Sequence, residues 1–442
     1  MKTTLSFILC SLLLGTSMTH GINRFVAQGE SIQSAIDASS SGDVIYVSSG
    51  VYAEQLLVAG KAIEIHGQGQ TSPRAQSLDV RNLSGTFRIS KFRFNDLPSN
   101  QIIIKDCPEV FITDLNGIDL NATRSNLQMK NCQFSESLLV QHGTLKLLKS
   151  TITKNVEVSQ STNQSGTPTQ CIILQSTIGE KLTSLASTAT ISYNLIRHGY
   201  FEGKLSIIGN EFNGRGNFGE IGIDVNGTTT KAFISNNFIH NYTLGSGQHQ
   251  NKCIGIRIQG GAKADILNNL IKGIYDSISG GLNINVAMGI FVTPSASSGS
   301  SIMGNIIYDC YDRTYNQTGG NRLVRAPQHV NLSYNNLYKS THVHPDRVGD
   351  GVINLESLNQ NPLFNGDFTL NSDSPAINAG PPDPRYNDRD GSRNDIGMFG
   401  GHNFIPDGRT TDKPIVLGLD VAPIAVPTGG TVTIESTGAT VK

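Results

Sequence analysis

The strongest constraint on this chain is a six-residue phrase that returns along its middle. It occurs at Ile191–Ile196, Ile207–Phe212, Ile234–Ile239, Ile266–Ile271, Ile302–Ile307 and Leu332–Leu337. Each copy reads apolar, any, any, Asn, any, apolar, and the fixed amide falls at Asn194, Asn210, Asn237, Asn269, Asn305 and Asn335. With a looser fourth position the phrase extends back to Cys132, Ser150 and Ser176. Such repetition marks an array in which each unit buries its apolar side only against its neighbours. The steps from Cys132 onward are 18, 26, 18, 16, 27, 32, 36 and 30 residues. Helical repeats of fixed length do not drift so widely. A coil of short strands does, because loops of any length fit at its corners.

A second strand precedes the phrase in the later units, at Ile221-Gly-Ile223-Asp-Val225, Ile254-Gly-Ile256-Arg-Ile258 and Met288-Gly-Ile290-Phe-Val292. Their period-two alternation predicts strands with one face inward. One coil therefore holds at least two strands, and stacking coils about 4.8 Å apart builds long parallel sheets around an aliphatic interior. The Asn series is expected to be structural. Each amide should occupy a left-handed bend, which Asn tolerates, and should hydrogen-bond to its equivalent one coil away. Upstream, Ile32, Ala35 and Ile36 lie on one face of a short helix with Ser31 as N-cap, placed to cover the open end of the array.

Charged residues make up only 16% of the chain and the formal net charge is −1, which gives no field to attract a nucleic acid. Lys2, the apolar run Phe7–Leu14 and the small residues Ser17 and Thr19 have the layout of a secretory signal peptide, residues 1–19, with an apolar core too short to span a bilayer. Export is expected, with no transmembrane segment after cleavage. Five cysteines then remain, Cys107, Cys132, Cys171, Cys253 and Cys310. They are odd in number and dispersed, and so read as buried thiols rather than a disulfide framework. Cys107 and Cys132, 25 residues apart, are expected in one interior stack.

The run Ser31–Gly69, with Gly50-Val-Tyr-Ala-Glu54 and Ile63-Glu-Ile-His-Gly-Gln-Gly69, resembles the opening of secreted right-handed parallel β-helix proteins of the pectin-lyase-like superfamily. Asn361-Pro-Leu-Phe364, Ser374-Pro-Ala-Ile-Asn-Ala-Gly380 and Asp395-Ile-Gly-Met-Phe-Gly400 resemble the closing module of bacterial choice-of-anchor proteins. The resemblance implies an all-β, right-handed parallel β-helix over residues 22–405. Its N-terminal cap would be 22–60 and its closing module 358–405, followed by a linker and β-rich tail at 406–442.

The enzyme motifs of that superfamily are not found. Polygalacturonase-like chains carry Gly-His-Gly and Arg-Ile-Lys, where this chain has Arg197-His-Gly199 and Arg257-Ile-Gln259. The tryptophan-bearing motif of pectin methylesterases has no counterpart, since the chain contains no Trp. A β-elimination lyase needs a base beside a uronate carboxylate and a cation to stabilise the developing charge. Asp309, Asp312 and Arg313 are the candidates. Asn387, Asp388, Asp390 and Asp395 space oxygen ligands somewhat as a calcium loop does, so calcium is the candidate cofactor. His342, His344, Asp346 and Asp350 could be read as transition-metal ligands, though alternating His on an extended segment is ordinarily exposed. The outward positions read mostly as Ser, Thr, Asn and Gly. The expected function is non-catalytic binding of a glycan or other extended ligand at or outside the cell surface. A polysaccharide lyase and an inert stalk or adhesin are the alternatives.

Overall fold

The computed structural model describes residues 21–94, 101–160, 169–216, 220–244, 252–276, 287–297, 299–312, 323–327, 329–338, 354–422, 431 and 433–439. The signal-peptide reading, Arg313 and the segment His342–Asp350 lie outside these residues. The chain winds as the expected right-handed parallel β-helix. One coil shows the plan. Asn126–Lys130 lies in a first sheet, Gln133–Phe134 in a second and Leu138–Gln141 in a third, and Thr144–Leu148 then returns to the first, directly beside Asn126–Lys130. The first sheet stacks fifteen strands; the second and third run into one another through the long strands Thr177–Ser184 and Leu195–Phe201. Along the early strands alternate residues are buried, as in Asn126–Lys130 and Thr144–Leu148, while later ones such as Ile221–Val225 and Cys253–Ile258 are buried along nearly their whole length. The inward Leu, Ile, Val and Phe form one continuous column from Val26 to Leu337. Each fully buried aliphatic or aromatic side chain contributes about 1.5–3 kcal/mol.

The phrase Ile-Gly-Ile of the third-sheet strands has a steric origin. A Cβ on Gly222, Gly255 or Gly289 would stand 2.9, 2.7 or 2.5 Å from the γ-methyl of Ile239, Ile271 or Ile307, and close to a carbonyl of the following coil. Only glycine allows the second and third sheets to approach this closely.

The N-terminal helix, Ile32–Asp37, is closed at both ends by the coil that follows it. The Ser31 hydroxyl accepts from the Ser34 amide, and the Glu54 carboxylate accepts from the Ser31 hydroxyl and from the free amides of Ile32 and Gln33 at 3.0, 3.1 and 2.8 Å. At the other end the Lys61 ammonium donates to the carbonyls of Ile36, Asp37 and Ser39. These groups complement the helix termini and dipole, while Ile32 and Ile36 join the core column.

The corner between first and second sheets carries the expected ladder. The Asn237 Oδ1 accepts both the backbone N–H and the Nδ2–H of Asn210, each at 3.0 Å, and the Asn237 Nδ2 donates to the carbonyls of Ile207 and Ser235. Backbone-to-side-chain bonds of this kind run unbroken from Cys132 through Ser150, Ser176 and the six Asn to Ser357. All six Asn are fully buried.

Two expectations need correction. The left-handed residue is not the ladder Asn but the one before it: Tyr193, Asn236, Asn268 and Tyr334 have φ of 57°, 56°, 50° and 53°, and glycine takes this place at 209 and 304. The bend must throw its own side chain outward, so the amide that enters the core has to be the next residue. Nor do Cys107 and Cys132 share a stack. Cys107 lies at the corner between third and first sheets, where its amide donates to the Ser125 hydroxyl, whereas the Cys132 amide donates to the Ser150 hydroxyl at the other corner. A 25-residue spacing spans more than one of the local 18-residue coils. All five cysteines are free and buried.

From Leu358, which bridges to Asn336 in the second sheet, the chain turns back along the outside of the coil. Phe364, Phe368, Ala376 and Ile396 pack on Phe238, Leu270 and Ile306, the outward row of the second sheet. The strap then follows the ladder corner and is held by the outward side chains of the left-handed residues. The Asn268 Nδ2 donates to the Asp395 carbonyl at 2.7 Å, Asn236 to the Met398 and Gly400 carbonyls, the Tyr193 hydroxyl to the Asn403 carbonyl, and Gln175 to the Gly408 and Thr411 carbonyls. Lys149 pairs with Asp412. The course therefore continues past residue 405 to Ile415, which is buried against Ile172, Leu174 and Tyr193. Ile415–Ala422 and Thr433–Ala439 form an antiparallel pair.

Replacing Asn237 by Ala removes two donors and a doubly used acceptor from a dry corner, leaving backbone groups unpaired at about 1–3 kcal/mol each. Asn237→Ala should lower stability in urea by about 3 kcal/mol or more, and Asn237→Ser, which keeps an acceptor, by less. A second outcome concerns Glu211, whose carboxyl is held down at about 2 by its hydrogen bond to His240, against the opposing effect of burial, with Arg409 of the strap adding to the depression. A lowered carboxyl pKa stabilises the fold above the unfolded value near 4.5 and loses that contribution as pH falls toward 2. The melting-temperature gap between the parent and Glu211→Gln should be full at pH 6 and close between about pH 4.5 and 2.

Candidate functional site

The outer face of the third sheet gathers a set of interacting polar and aromatic groups. Parallel register aligns the outward residues of successive strands into a column: Tyr200, Asp224, Arg257, Phe291 and Arg325. Asp224, Arg257 and Phe291 are the fourth residues of the three Ile-Gly-Ile strands, so they occupy one structural position with three chemistries. Arg257 forks onto Asp224 through Nε at 2.9 Å and Nη2 at 2.6 Å, and the Gln259 Nε2 donates to Asp224 at 3.1 Å. The Arg325 guanidinium stands 5.5 Å over the Phe291 ring and the Lys252 ammonium 6.0 Å from it.

Beside this column the Tyr200 hydroxyl donates to Glu202 at 2.7 Å and accepts from the Asn226 Nδ2 at 2.7 Å, with the Lys181 ammonium 5.5 Å over its ring. Burial pushes the Tyr200 phenol up to about 12, and the bond to Glu202 adds to the shift. On the other flank, Arg197 forks onto Glu220 at 3.0 and 2.9 Å, and the His198 Nδ1 lies 3.5 Å from the same carboxylate. Burial works to raise the Glu220 carboxyl, but His198 and Arg197 together outweigh it and hold the group below its ordinary value. The His198 Nδ1 is buried and makes no hydrogen bond. The face is thus a row of charge-assisted forks and cation-covered rings. It can donate to hydroxyls and carboxylates and can offer ring surface to an apolar sugar face.

The residues singled out from sequence lie elsewhere. Asp309 is a left-handed residue with φ 52° in the strand Ile306–Asp312, where Gly273 and Asn241 make equivalent bends at 64° and 62° one and two coils earlier. Asp312 pairs in register with Asp276. In the strap, Asp388 accepts from the Asp395 and Gly401 amides, Asp390 from the Ser392 amide and hydroxyl, and Asp395 from the Asn378 amide, while Asn387 donates to the Gly391 carbonyl. Burial raises the carboxyls of Asp388 and Asp395. Among the described residues no three His, Cys, Asp or Glu side chains stand close enough to share a metal ion, and no helix is long and apolar enough to cross a membrane.

No family model and no curated protein matches the chain. Solved structures similar to it include the following two. An arginine-to-alanine mutant of the PL6-family alginate lyase AlyGC is 15% identical with a TM-score of 0.46, over 80% of this chain and 55% of that one. The pectate lyase Pel9A is 13% identical with a TM-score of 0.33, over 87% of this chain and 97% of that one. The chain spans about half the length of the alginate lyase. These likenesses concern the fold and say nothing about the chemistry of this face.

Asp224 is almost wholly buried and carries both the Arg257 fork and the Gln259 amide. Asp224→Ala should destabilise the fold by about 3 kcal/mol, the cost of stranding a partly buried cation. Arg257→Ala/Asp224→Ala together should cost less than the sum of the two single changes, which a double-mutant cycle by denaturant unfolding measures.

Proposed function

We propose that the protein binds a glycan chain laid along the outer face of the third sheet, without chemical turnover, and that it does so as an exported protein at or outside the cell surface. The observation that carries this reading is the column Tyr200, Asp224, Arg257, Phe291 and Arg325, which repeats an interacting side chain once per coil along the axis. A linear ligand with a regular repeat matches such a column better than a compact one does. The charged groups support binding over catalysis. Arg257 and Arg197 are each forked onto a carboxylate, and the Tyr200 phenol is held protonated. Rings covered by cations and fixed polar forks are groups that orient hydroxyls and acidic substituents without needing to move a proton.

A second reading, elimination on an acidic polysaccharide, is favoured by one feature. His198 and Tyr200 sit two residues apart on the same strand and face, and the His198 Nδ1 has no hydrogen-bond partner. In that reading His198 would take the proton beside the uronate carboxylate and Tyr200 would give one to the leaving oxygen. Calcium stays a proposal attached to this reading alone.

Affinity electrophoresis through gels cast with plant and algal polysaccharides should retard the parent protein. Arg257→Ala and Phe291→Ala should each relieve that retardation by about tenfold in apparent affinity, as expected for anchor residues. The absorbance of unsaturated uronate should stay flat on polygalacturonate and alginate with calcium present. A rising signal abolished by His198→Ala would establish the lyase in place of the binder. Absence of both retardation and product would leave the stalk or adhesin reading.

A further inference from the structure

Around the corner from that column, the first sheet carries a second ordered row. Lys204, Lys231 and Lys263 are register partners on three consecutive strands, Lys204–Ile208, Lys231–Ser235 and Lys263–Leu267. All three are exposed, and their backbones are one coil spacing apart, about 4.8 Å. Like charges stacked directly opposite on neighbouring strands oppose sheet formation. None of the three has a salt-bridge partner among the described residues. Two carboxylates flank the row, Asp265 two residues after Lys263 and Glu202 two residues before Lys204; Asp265 accepts from the Ser301 hydroxyl at 2.6 Å and Glu202 from Tyr200 and Asn226, and neither forms an ion pair with the lysines. The row is bounded by uncharged residues, with Thr188 and Gln170 continuing it on one side and Gly299 beside the Lys263 ammonium on the other. In a chain with so few charges, three cations in single file, none of them in an ion pair, are a local departure.

We infer that Lys204, Lys231 and Lys263 form a docking strip for a linear polyanion, an acidic polysaccharide lying parallel to the coil axis. Three features select that partner. The strip is one residue wide, which suits a single extended chain and not the broad basic surface that a nucleic acid duplex needs. Its charges repeat once per coil, and a polyuronate offers one carboxylate per sugar. Ammonium groups on flexible stems act as point charges and follow a carboxylate row without a fixed fork. The strip stands on a different sheet from the Tyr200–Arg325 column and does not depend on the reading given to that column.

The test compares the parent and the triple variant Lys204→Gln/Lys231→Gln/Lys263→Gln for binding to polygalacturonate, to the same polymer fully methyl-esterified, and to a DNA duplex, each across a salt titration. The parent should bind the free acid in a salt-dependent manner and bind the ester and the duplex at least about tenfold more weakly. The triple variant should lose about tenfold or more in affinity for the free acid, and its double-logarithmic salt slope should fall by about 2, since the slope counts the cations neutralised. The triple variant should also melt at or above the parent temperature, because removing stacked like charges relieves repulsion. Unchanged affinity and slope in the triple variant would overturn the inference, as would equal binding of the duplex or of the ester, or a melting temperature below that of the parent.

Discussion

The structure depends on how a coil turns a corner without leaving backbone groups unpaired. Within the sheets each interior strand is satisfied by the coils on either side of it. At the corner between first and second sheets the ladder amide does this work: its oxygen takes the backbone N–H of the coil before, and its nitrogen returns to two carbonyls, as Asn237 does for Asn210, Ile207 and Ser235. A buried donor or acceptor left unmade costs more than a made bond contributes. Ser serves toward the ends of the series, at Ser150, Ser176 and Ser357, with Cys132 at its head, and Asn fills the six places between. Six successive Asn are therefore a solution that stacking makes self-consistent.

The same turn explains the strap. A two-residue corner places one side chain in and the other out. The inward one is the ladder residue, and the outward one belongs to the left-handed residue before it. Because the corner recurs at every coil, the outward side chains form a second column, and Lys149, Gln175, Tyr193, Asn236 and Asn268 all use it to hold carbonyls or carboxylates of the returning chain. At 209 and 304 glycine fills the place, and a Cβ there would press into Tyr193 or against Asn268. One backbone requirement thus fixes both the interior ladder and the exterior docking line.

Much of this was legible in the residues. The Asn phrase, the drifting coil length, the Ile-Gly-Ile strands and the Ser31 cap specify the parallel coil, because each rests on a local pattern that stacking repeats. The identity of the left-handed residue was not legible. Tyr193, Gln175 and Lys149 carry no compositional mark of that conformation, and Asn was the conspicuous residue nearby. The site was hidden for a different reason. Asp224, Arg257 and Phe291 stand at one position of three strands that sequence alone aligns, yet reading each strand singly dissolves them into scattered polar residues. Aligned by coil, they are a column. Tyr200 was harder to find, because the strand Leu195–Phe201 lacks the Ile-Gly-Ile phrase and joins the column only through its pairing with Ile221–Val225.

A parallel solenoid converts any outward position into a row, so the chemistry of a row must be judged by its charge balance. In the third-sheet face Asp224 answers Arg257 and Glu220 answers Arg197, while Arg325 and Lys252 stand against the Phe291 ring. Such a surface is rigid before any ligand arrives, and little side-chain freedom is lost on binding. The lysine row on the first sheet is exposed and makes no ion pair among the described residues. It lowers the stability of the free protein and gains only when counter-charge is supplied from outside. Both rows follow the coil axis and lie on adjacent faces. A glycan with acidic and neutral stretches would therefore meet a preorganised face for its ring and hydroxyl groups and an electrostatic one for its carboxylates, with the direction of the chain set by the axis they share.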